Sequence, residues 1–221
     1  MGSSGSTPSP RDRPPIRRWV RIIGNDHPRA CTGRRLLRLG LVQEFTGGTN
    51  PSDSPVVLDP YALEPLSGAD LPSAERGGIL AVDCSWNALA ETGRLPGAGP
   101  SRDLRHRRRL PFLIATNPQH YGRLGELNTV EALGAALYVL GRPRESDAVL
   151  RGFAGGAAFL EVNHERLDQF ARAGTADGVR QAERAIYGGG RTATRSSAPG
   201  TQSRASRRRR SRLPGSSEAP P

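Results

Sequence analysis

A carboxylate and an aromatic side chain stand close together where a short apolar stretch ends. Residues 79–82 are apolar, Asp83 follows directly, and Trp86 comes three residues later. A carboxylate beside an aromatic wall at the end of a strand suits a positively charged ligand that carries an adenine ring. In the alternative interpretation, Asp83 caps a helix that begins near Asn87 and Trp86 belongs to the core. The spacing alone leaves both interpretations open.

A second candidate segment follows a longer apolar run. Residues 109–122 read RLPFLIATNPQHYG, so a run of strand length ends at Asn-Pro and passes into a polar loop that contains a glycine. Asn128, with Glu131 three residues later, then forms the capping-box pattern of a helix start. Strand, loop and helix in this order frame small-molecule sites at the carboxyl end of a sheet.

Arginine supplies the whole positive charge of the chain. All 32 basic residues are arginine, the formal net charge is +11, and residues 188–221 hold eight arginines against one acid. Two further arginine groups precede the candidate segments and are suited to binding phosphate groups. They comprise Arg29, Arg34, Arg35 and Arg38, and then Arg105, Arg107, Arg108 and Arg109. The four histidines have no metal-ligand spacing, so we expect no metal.

The apolar patterns predict a sheet followed by helices. We predict strands at 19–23, 55–58, 78–83 and 112–115, and helices at 34–41, 128–140, 145–153, 162–173 and 176–187. Short apolar runs without alternation, separated by helical segments, indicate a sheet that is buried on both faces. The predicted fold class is therefore α/β, with an all-helical second half.

Composition sets the predicted boundaries. Residues 1–16 and 188–221 are poor in apolar side chains and are expected to be disordered tails. Between them we predict an N-terminal α/β domain at 17–109 and a mainly helical, donor-binding domain at 110–187. Two cysteines are too few for a disulfide scaffold, and no apolar run reaches membrane-spanning length. We therefore expect a soluble, cytoplasmic monomer that does not bind membranes.

Taken together, the motifs resemble one family, the ribosomal RNA aminocarboxypropyltransferases of archaea and eukaryotes. The matching blocks are CTGRRL at 31–36 with LGLV at 39–42, VDCSW at 82–86, RLPFLIATNP at 109–118, and LNTVEAL at 127–133 with AALY at 135–138. They occur in the family's order. The resemblance implies a SPOUT-like sheet domain and a C-terminal helical domain with a deep trefoil knot, although chains are in general unknotted.

The resemblance also implies S-adenosylmethionine as the donor. Carried over residue by residue, Leu58, Pro60, Trp86 and Leu127 form the apolar walls around the adenine, main-chain atoms of Val82 and Leu110 hold the nucleoside, and Thr32 and Thr129 hold the amino-acid end. Asp83 lies near the positive charge of the donor. The two arginine groups are then expected to bind small-subunit ribosomal RNA, free or in a pre-ribosomal subunit.

The implied reaction transfers the 3-amino-3-carboxypropyl group to a ring nitrogen of a uridine or (methyl)pseudouridine and releases methylthioadenosine. Asp83 is the first candidate for the general base and Glu131 the second, although carboxylates are weak bases toward so poor an acid. The alternatives are a SPOUT-type RNA methyltransferase and a non-catalytic, RNA-binding ribosome-assembly factor. Asp59 stands where the family has serine, so we expect its carboxylate to point to solvent or to a ribose hydroxyl.

Overall fold

The chain forms a parallel sheet that is covered by helices. A computed structural model describes residues 13–23, 31–47, 53–96 and 106–188. The strands within these ranges are β1 (Arg18–Ile22), β2 (Gln43–Glu44), β3 (Val56–Leu58), β4 (Ile79–Asp83) and β5 (Arg107–Arg108). The helices are α1 (Thr32–Arg38), α2 (Leu71–Gly77), α3 (Trp86–Thr92), α4 (Thr129–Val139), α5 (Pro143–Leu150), α6 (Gly156–Ala173) and α7 (Ala176–Tyr187).

The sheet confirms the α/β prediction. Its strand order is β2-β1-β4-β3-β5, and every neighbouring pair is parallel. All three residues of β3 and the first three of β4 are buried. A parallel sheet with both faces covered needs such continuous apolar strands, because neither face meets water. β2, β5 and α2 were not predicted.

Helix α4 is the central helix of the fold. Its predicted capping box is present: Asn128 Oδ1 accepts a hydrogen bond from Glu131 N at 2.9 Å, and Glu131 Oε2 accepts one from Asn128 N at 3.0 Å. The sequence predicted one apolar stripe, but nine of the eleven residues are buried, because α4 packs on α5, α6 and β4. A Cβ on Gly134 would lie 2.7 Å from Leu150 Cδ1, so α5 approaches α4 closely.

The predicted strand at 112–115 is wrong. The edge strand on this side of the sheet is β5, which lies before this apolar run in the chain. Pro111 stands between the two, and it has no N–H to donate to a neighbouring strand. The run instead pairs with other partners: Ile114 N donates to Asn163 Oδ1 on α6 at 2.8 Å, and Ala115 N donates to Arg123 O at 2.9 Å. It is an extended segment that helix α6 and its own following loop hold in place.

The other helices follow the predicted pattern with shifted ends. Helix α7 has the predicted bounds, whereas α5 and α6 begin earlier than the sequence indicated. The tails lie outside the described residues apart from their inner ends, and the division into domains at Arg109 stays a prediction. No helix in the described ranges is long and apolar enough to span a bilayer.

Candidate functional site

A cavity of about 530 Å³ opens at the carboxyl ends of β3, β4 and β5. Its buried lining combines apolar residues such as Ala81, Leu89 and Leu95 with the polar residues Asp59 and Thr129. Phe112 and Gln119 are exposed at its mouth. The carboxyl ends of parallel strands are the usual place for a ligand. All eight residues that the resemblance assigned to the donor line this cavity, namely Thr32, Leu58, Pro60, Val82, Trp86, Leu110, Leu127 and Thr129.

Asp83 joins three segments at the wall of this cavity. Thr129 Oγ1, at the start of α4, donates to Oδ1 at 2.6 Å. Gly33 N and Cys31 Sγ, at the start of α1, donate to Oδ2 at 2.7 Å and 2.9 Å. The carboxylate is half-buried and lines the cavity. It therefore presents a fixed negative charge that β4, α1 and α4 hold together.

The first turn of α1 is shaped to receive this carboxylate. A Cβ on Gly33 would lie 2.5 Å from Asp83 Oδ2, so the contact requires glycine. Cys31 is the N-cap of α1, and its sulfur accepts a hydrogen bond from Arg34 N at 3.4 Å. Burial, together with the hydrogen bond to Asp83, raises the pKa of the Cys31 thiol above its usual value, which keeps the S–H proton available to Asp83.

The interpretation of Asp83 as a helix cap is wrong. Helix α3 is capped by Ser85, whose Oγ accepts a hydrogen bond from Ala88 N at 3.2 Å. Trp86 at the first position of α3 lines the cavity and is only half-buried. Its Nε1 donates to the carbonyl oxygen of Leu127 at 3.1 Å, so the indole joins α3 to the segment that precedes α4.

Asp59 does not point to solvent, which was one of the two expectations for it. The residue is 4% exposed. Its Oδ1 accepts a hydrogen bond from Tyr61 N at 2.9 Å, and its Oδ2 forms an ion pair with Arg107 Nη1 at 3.2 Å. The carboxylate replacing the family's serine is thus engaged within the protein, and an arginine offsets its charge.

Glu131 is a buried anchor. At 1% exposure it accepts four hydrogen bonds. The donors are Thr116 N at 2.8 Å and Thr116 Oγ1 at 2.9 Å on Oε1, and Asn117 Nδ2 at 2.7 Å and Asn128 N at 3.0 Å on Oε2. A carboxylate has about four acceptor positions, so none is left for a proton from a substrate. The geometry favours a positioning role over the general-base role predicted for Glu131.

The predicted RNA-binding arginines divide into two groups. Arg34, Arg35 and Arg38 are exposed on α1. Arg107, Arg108 and Arg109 instead form ion pairs with Asp59, Asp70 and Glu183, at 3.2 Å, 2.9 Å and 2.7 Å. Arg29 and Arg105 lie outside the described residues. The arginines of α1 are therefore better placed to bind phosphates than Arg107, Arg108 and Arg109, whose charges are already paired within the protein.

Glu183 on α7 holds one wall of the cavity, which sequence reasoning missed. Its two carboxylate oxygens accept hydrogen bonds from Nη1 and Nη2 of Arg109, both at 2.7 Å. Glu183 Oε1 also accepts one from Phe112 N at 3.2 Å, and Tyr187 Oη donates to Phe112 O at 2.6 Å. The clamp fixes residues 109–112, which line the cavity. A pairing across 74 residues leaves no local signal in the sequence.

A histidine at the cavity was also missed. His120 lines the cavity, and its Nδ1 lies 2.5 Å from Glu126 Oε2. A histidine and a glutamate six residues apart in a loop match no standard sequence motif, so no local signal marks this pair. Within the described part of the chain, no cluster of three or more acidic, histidine or cysteine side chains could hold a metal.

Sequence comparison finds a matching family and several similar proteins. Residues 56–187 match the model of a family described as "Ribosome biogenesis protein, C-terminal". The 16S rRNA aminocarboxypropyltransferase of Methanopyrus kandleri is 46% identical over 151 residues, which cover 67% of this chain and 85% of that protein. The 18S rRNA aminocarboxypropyltransferase of Schizosaccharomyces pombe is 36% identical over 185 residues, covering 83% of this chain and 60% of that protein.

A solved structure shares the fold. It is the structure of a SAM-dependent rRNA:acp-transferase from Vulcanisaeta distributa, with a TM-score of 0.62 and 32% sequence identity over 77% of this chain and 97% of that one. The parallel sheet and the cavity at its carboxyl edge define an α/β protein with a small-molecule site. More narrowly, the chain belongs to the family of ribosome biogenesis proteins that contains the rRNA aminocarboxypropyltransferases.

Proposed function

We propose that this protein transfers the 3-amino-3-carboxypropyl group of S-adenosylmethionine to a uridine or (methyl)pseudouridine of small-subunit ribosomal RNA, releasing methylthioadenosine. The observation that carries the proposal is the cavity itself, since every predicted donor contact and Asp83 line it together. Relatives that are named rRNA aminocarboxypropyltransferases support the same activity.

The residues of the cavity fit such a donor in both shape and charge. Leu58, Pro60, Trp86 and Leu127 offer apolar walls of the kind that hold an adenine ring. Asp83 supplies negative charge for a donor that carries a positive sulfur and an ammonium group. Thr129 places its hydroxyl group 2.6 Å from Asp83 Oδ1, and Thr32 lines the same cavity, where the amino-acid end of the donor would lie. By fixing the donor, these residues align the reacting carbon for in-line attack, and alignment can supply much of the rate.

Product analysis tests this function. Purified protein is incubated with S-adenosylmethionine and small-subunit RNA from cells that lack the enzyme, and the small-molecule product is identified by mass spectrometry. We expect methylthioadenosine and a matching mass increase on one nucleotide. S-adenosylhomocysteine would indicate an RNA methyltransferase instead, and the absence of donor binding by calorimetry would indicate a non-catalytic assembly factor.

Trp86→Ala is expected to weaken donor binding. The substitution removes the aromatic wall and the hydrogen bond to Leu127 O. Loss of contact between a base and an aromatic ring costs about 1–3 kcal/mol of binding free energy. Calorimetric titration with S-adenosylmethionine measures the change, and Trp86→Phe is the matched control, because it keeps a smaller aromatic ring while it loses the indole N–H. An unchanged dissociation constant in Trp86→Ala would show that Trp86 is a core residue that does not bind the donor.

Deleting residues 189–221 is expected to reduce the salt dependence of RNA binding. The deleted segment holds eight arginines and lies outside the described residues. Each arginine that neutralises a phosphate releases counterions, so the slope of log affinity against log salt should decrease by about 0.7–0.9 per lost contact. Donor affinity should stay unchanged. The control for chain length is a full-length variant that carries Arg207→Ser, Arg208→Ser, Arg209→Ser and Arg210→Ser. An unaltered salt slope in both variants would show that the tail does not bind RNA.

Three further properties belong to the same proposal. We propose a SPOUT-like knotted topology, a monomeric state and a cytoplasmic location. The sequence resemblance supports the knot. The free cysteines Cys31 and Cys84 fit a reducing compartment. Chain tracing in an experimental electron-density map, sedimentation velocity and microscopy of the tagged protein test the three properties in turn.

A further inference from the structure

The loop that precedes α4 places an oriented imidazole at the cavity. His120 Nδ1 lies 2.5 Å from Glu126 Oε2. The main chain of His120 is fixed as well, because its N–H donates to Asn117 Oδ1 at 3.0 Å and its carbonyl accepts from Arg123 N at 3.0 Å. The ring is therefore held in one direction by its backbone and by a carboxylate.

The carboxylate also selects which ring nitrogen carries the proton. A carboxylate next to Nδ1 favours the tautomer that is protonated there, which leaves the lone pair on Nε2. Nε2 of His120 has no hydrogen-bond partner among the residues that the structure describes. Arg123 Nη1 lies 3.1 Å from the same Glu126 oxygen, so the positive charge of the arginine offsets the negative charge of the glutamate.

His120 lies on the cavity lining and is partly open to solvent. Its side chain is 22% exposed while it lines the cavity. Two aromatic side chains are exposed nearby along the chain, namely Phe112 on the cavity lining and Tyr121 beside His120, at 46% and 71%. Proteins that recognise single-stranded RNA stack unpaired bases on exposed aromatic rings. The mouth of the cavity thus offers both a surface for a base and a proton acceptor.

The two carboxylates that the sequence nominated are poorly placed for proton removal. The oxygens of Asp83 already receive three hydrogen bonds and those of Glu131 receive four. Imidazole is a stronger base than a carboxylate by about two pKa units in unperturbed side chains. The reaction needs a base, because the imino nitrogen of uridine has no available lone pair until its proton leaves.

We infer that His120, oriented by Glu126, is the general base of the transfer and accepts the imino proton of the acceptor base on Nε2. The ring nitrogen of the acceptor forms a bond to the first side-chain carbon of the donor. The carbon–sulfur bond breaks and its electron pair stays on sulfur, giving methylthioadenosine. The proton passes to His120 and then to water at the mouth. This inference rests on the proposed function.

The test compares His120→Asn with the wild type in single-turnover transfer at saturating donor and RNA. Asparagine keeps an N–H near the position of Nδ1 and so can still donate to Glu126, but it cannot accept a proton. We expect the transfer rate to fall on the order of 100-fold, the usual contribution of a general base. The dissociation constant of S-adenosylmethionine should change less than about twofold, because other residues of the cavity are the ones expected to bind the donor. His164→Asn on the exposed face of α6 is the matched control and should keep the full rate.

The pH profile separates a base from a structural residue. In the wild type, log rate should rise with pH and then level off, because only a neutral imidazole can accept the proton. The other titratable groups of the cavity, the carboxyls of Asp59 and Asp83 and the thiols of Cys31 and Cys84, remain in His120→Asn, so only the imidazole step should disappear. Glu126→Gln should lower the rate less than His120→Asn does. It should also shift the pH at which the rate levels off.

A readout independent of activity is the tautomer of His120 in the protein alone. Nitrogen NMR should show a protonated Nδ1 and an unprotonated Nε2 at neutral pH. A wild-type rate in His120→Asn, or an Nε2-protonated ring, would overturn the inference. If the wild type itself forms no methylthioadenosine, the proposed function fails instead, and the two failures remain distinct.

Discussion

Asp83→Asn is expected to reduce aminocarboxypropyl transfer on the order of 100-fold or more, the usual effect of removing one preorganised electrostatic contact. The variant keeps the shape of the side chain and removes its charge from the cavity wall. Its remaining oxygen can still accept from Gly33 N and Cys31 Sγ. The new amide can donate to Thr129, whose hydroxyl can rotate and accept. The free energy of unfolding should therefore change by only about 1 kcal/mol.

Two measurements check this expectation: single-turnover transfer and urea denaturation of the same variant. Asp177→Asn is the control, since Asp177 lies in the first turn of α7 and its side chain is 95% exposed. That variant should keep the wild-type rate. If Asp83→Asn transfers the group as fast as the wild type, the charge of Asp83 plays no part in the reaction. If it unfolds, the carboxylate is chiefly a structural tie between α1, β4 and α4.

Local signals made part of the fold predictable. The box formed by Asn128 and Glu131 marked the start of α4, because both hydrogen bonds of such a box lie within four residues. The apolar residues before Asp83 marked β4, because a strand buried on both faces needs a continuous apolar run. The walls of the cavity were predictable only through the resemblance, since Leu58, Trp86 and Leu127 form no local motif.

Distant pairings account for what the sequence could not predict. The apolar run at 112–115 looks like a strand, yet its main chain bonds to Asn163, which lies 49 residues away from Ile114. β5 was overlooked because its two residues are arginines, whose charge is satisfied by Asp59 and Asp70 across the sheet edge. Asp83 looked like a helix cap because Gly33, its actual partner, is 50 residues away in the chain.

The carboxylates show most clearly why composition does not assign chemistry. Asp59, Asp83 and Glu131 are all acids near the same cavity, yet their surroundings differ. Asp59 forms an ion pair with an arginine, and Asp83 accepts hydrogen bonds from three donors at the cavity wall. Glu131 is buried and accepts four hydrogen bonds. These differences arise from which donors the fold brings to each oxygen. The tertiary structure determines these partners, and the same structure orients the imidazole of His120, the base that we infer, at the cavity.

Glu183→Gln is expected to lower the free energy of unfolding by about 3 kcal/mol, near the low end for breaking a buried ion pair. Glu183 and Arg109 side chains are only 10% and 18% exposed, so the substitution leaves a guanidinium that is largely removed from water. The amide can accept from one arm of Arg109, but its own N–H group then faces the other arm. Urea denaturation measures the loss, and Glu161→Gln, at an exposed position of α6, should be nearly neutral.

A double-mutant cycle distinguishes the ion pair from simple loss of packing. Arg109→Gln in the Glu183→Gln background removes the stranded charge, so the double variant should be more stable than the sum of the two single effects implies, by about 0.5–3 kcal/mol. Donor affinity should fall in Glu183→Gln, because residues 109–112 form one wall of the cavity and lose the clamp from α7. Additive losses in stability would show that the two side chains do not act as a pair. Full donor affinity in a folded Glu183→Gln variant would show that the wall keeps its position without the clamp.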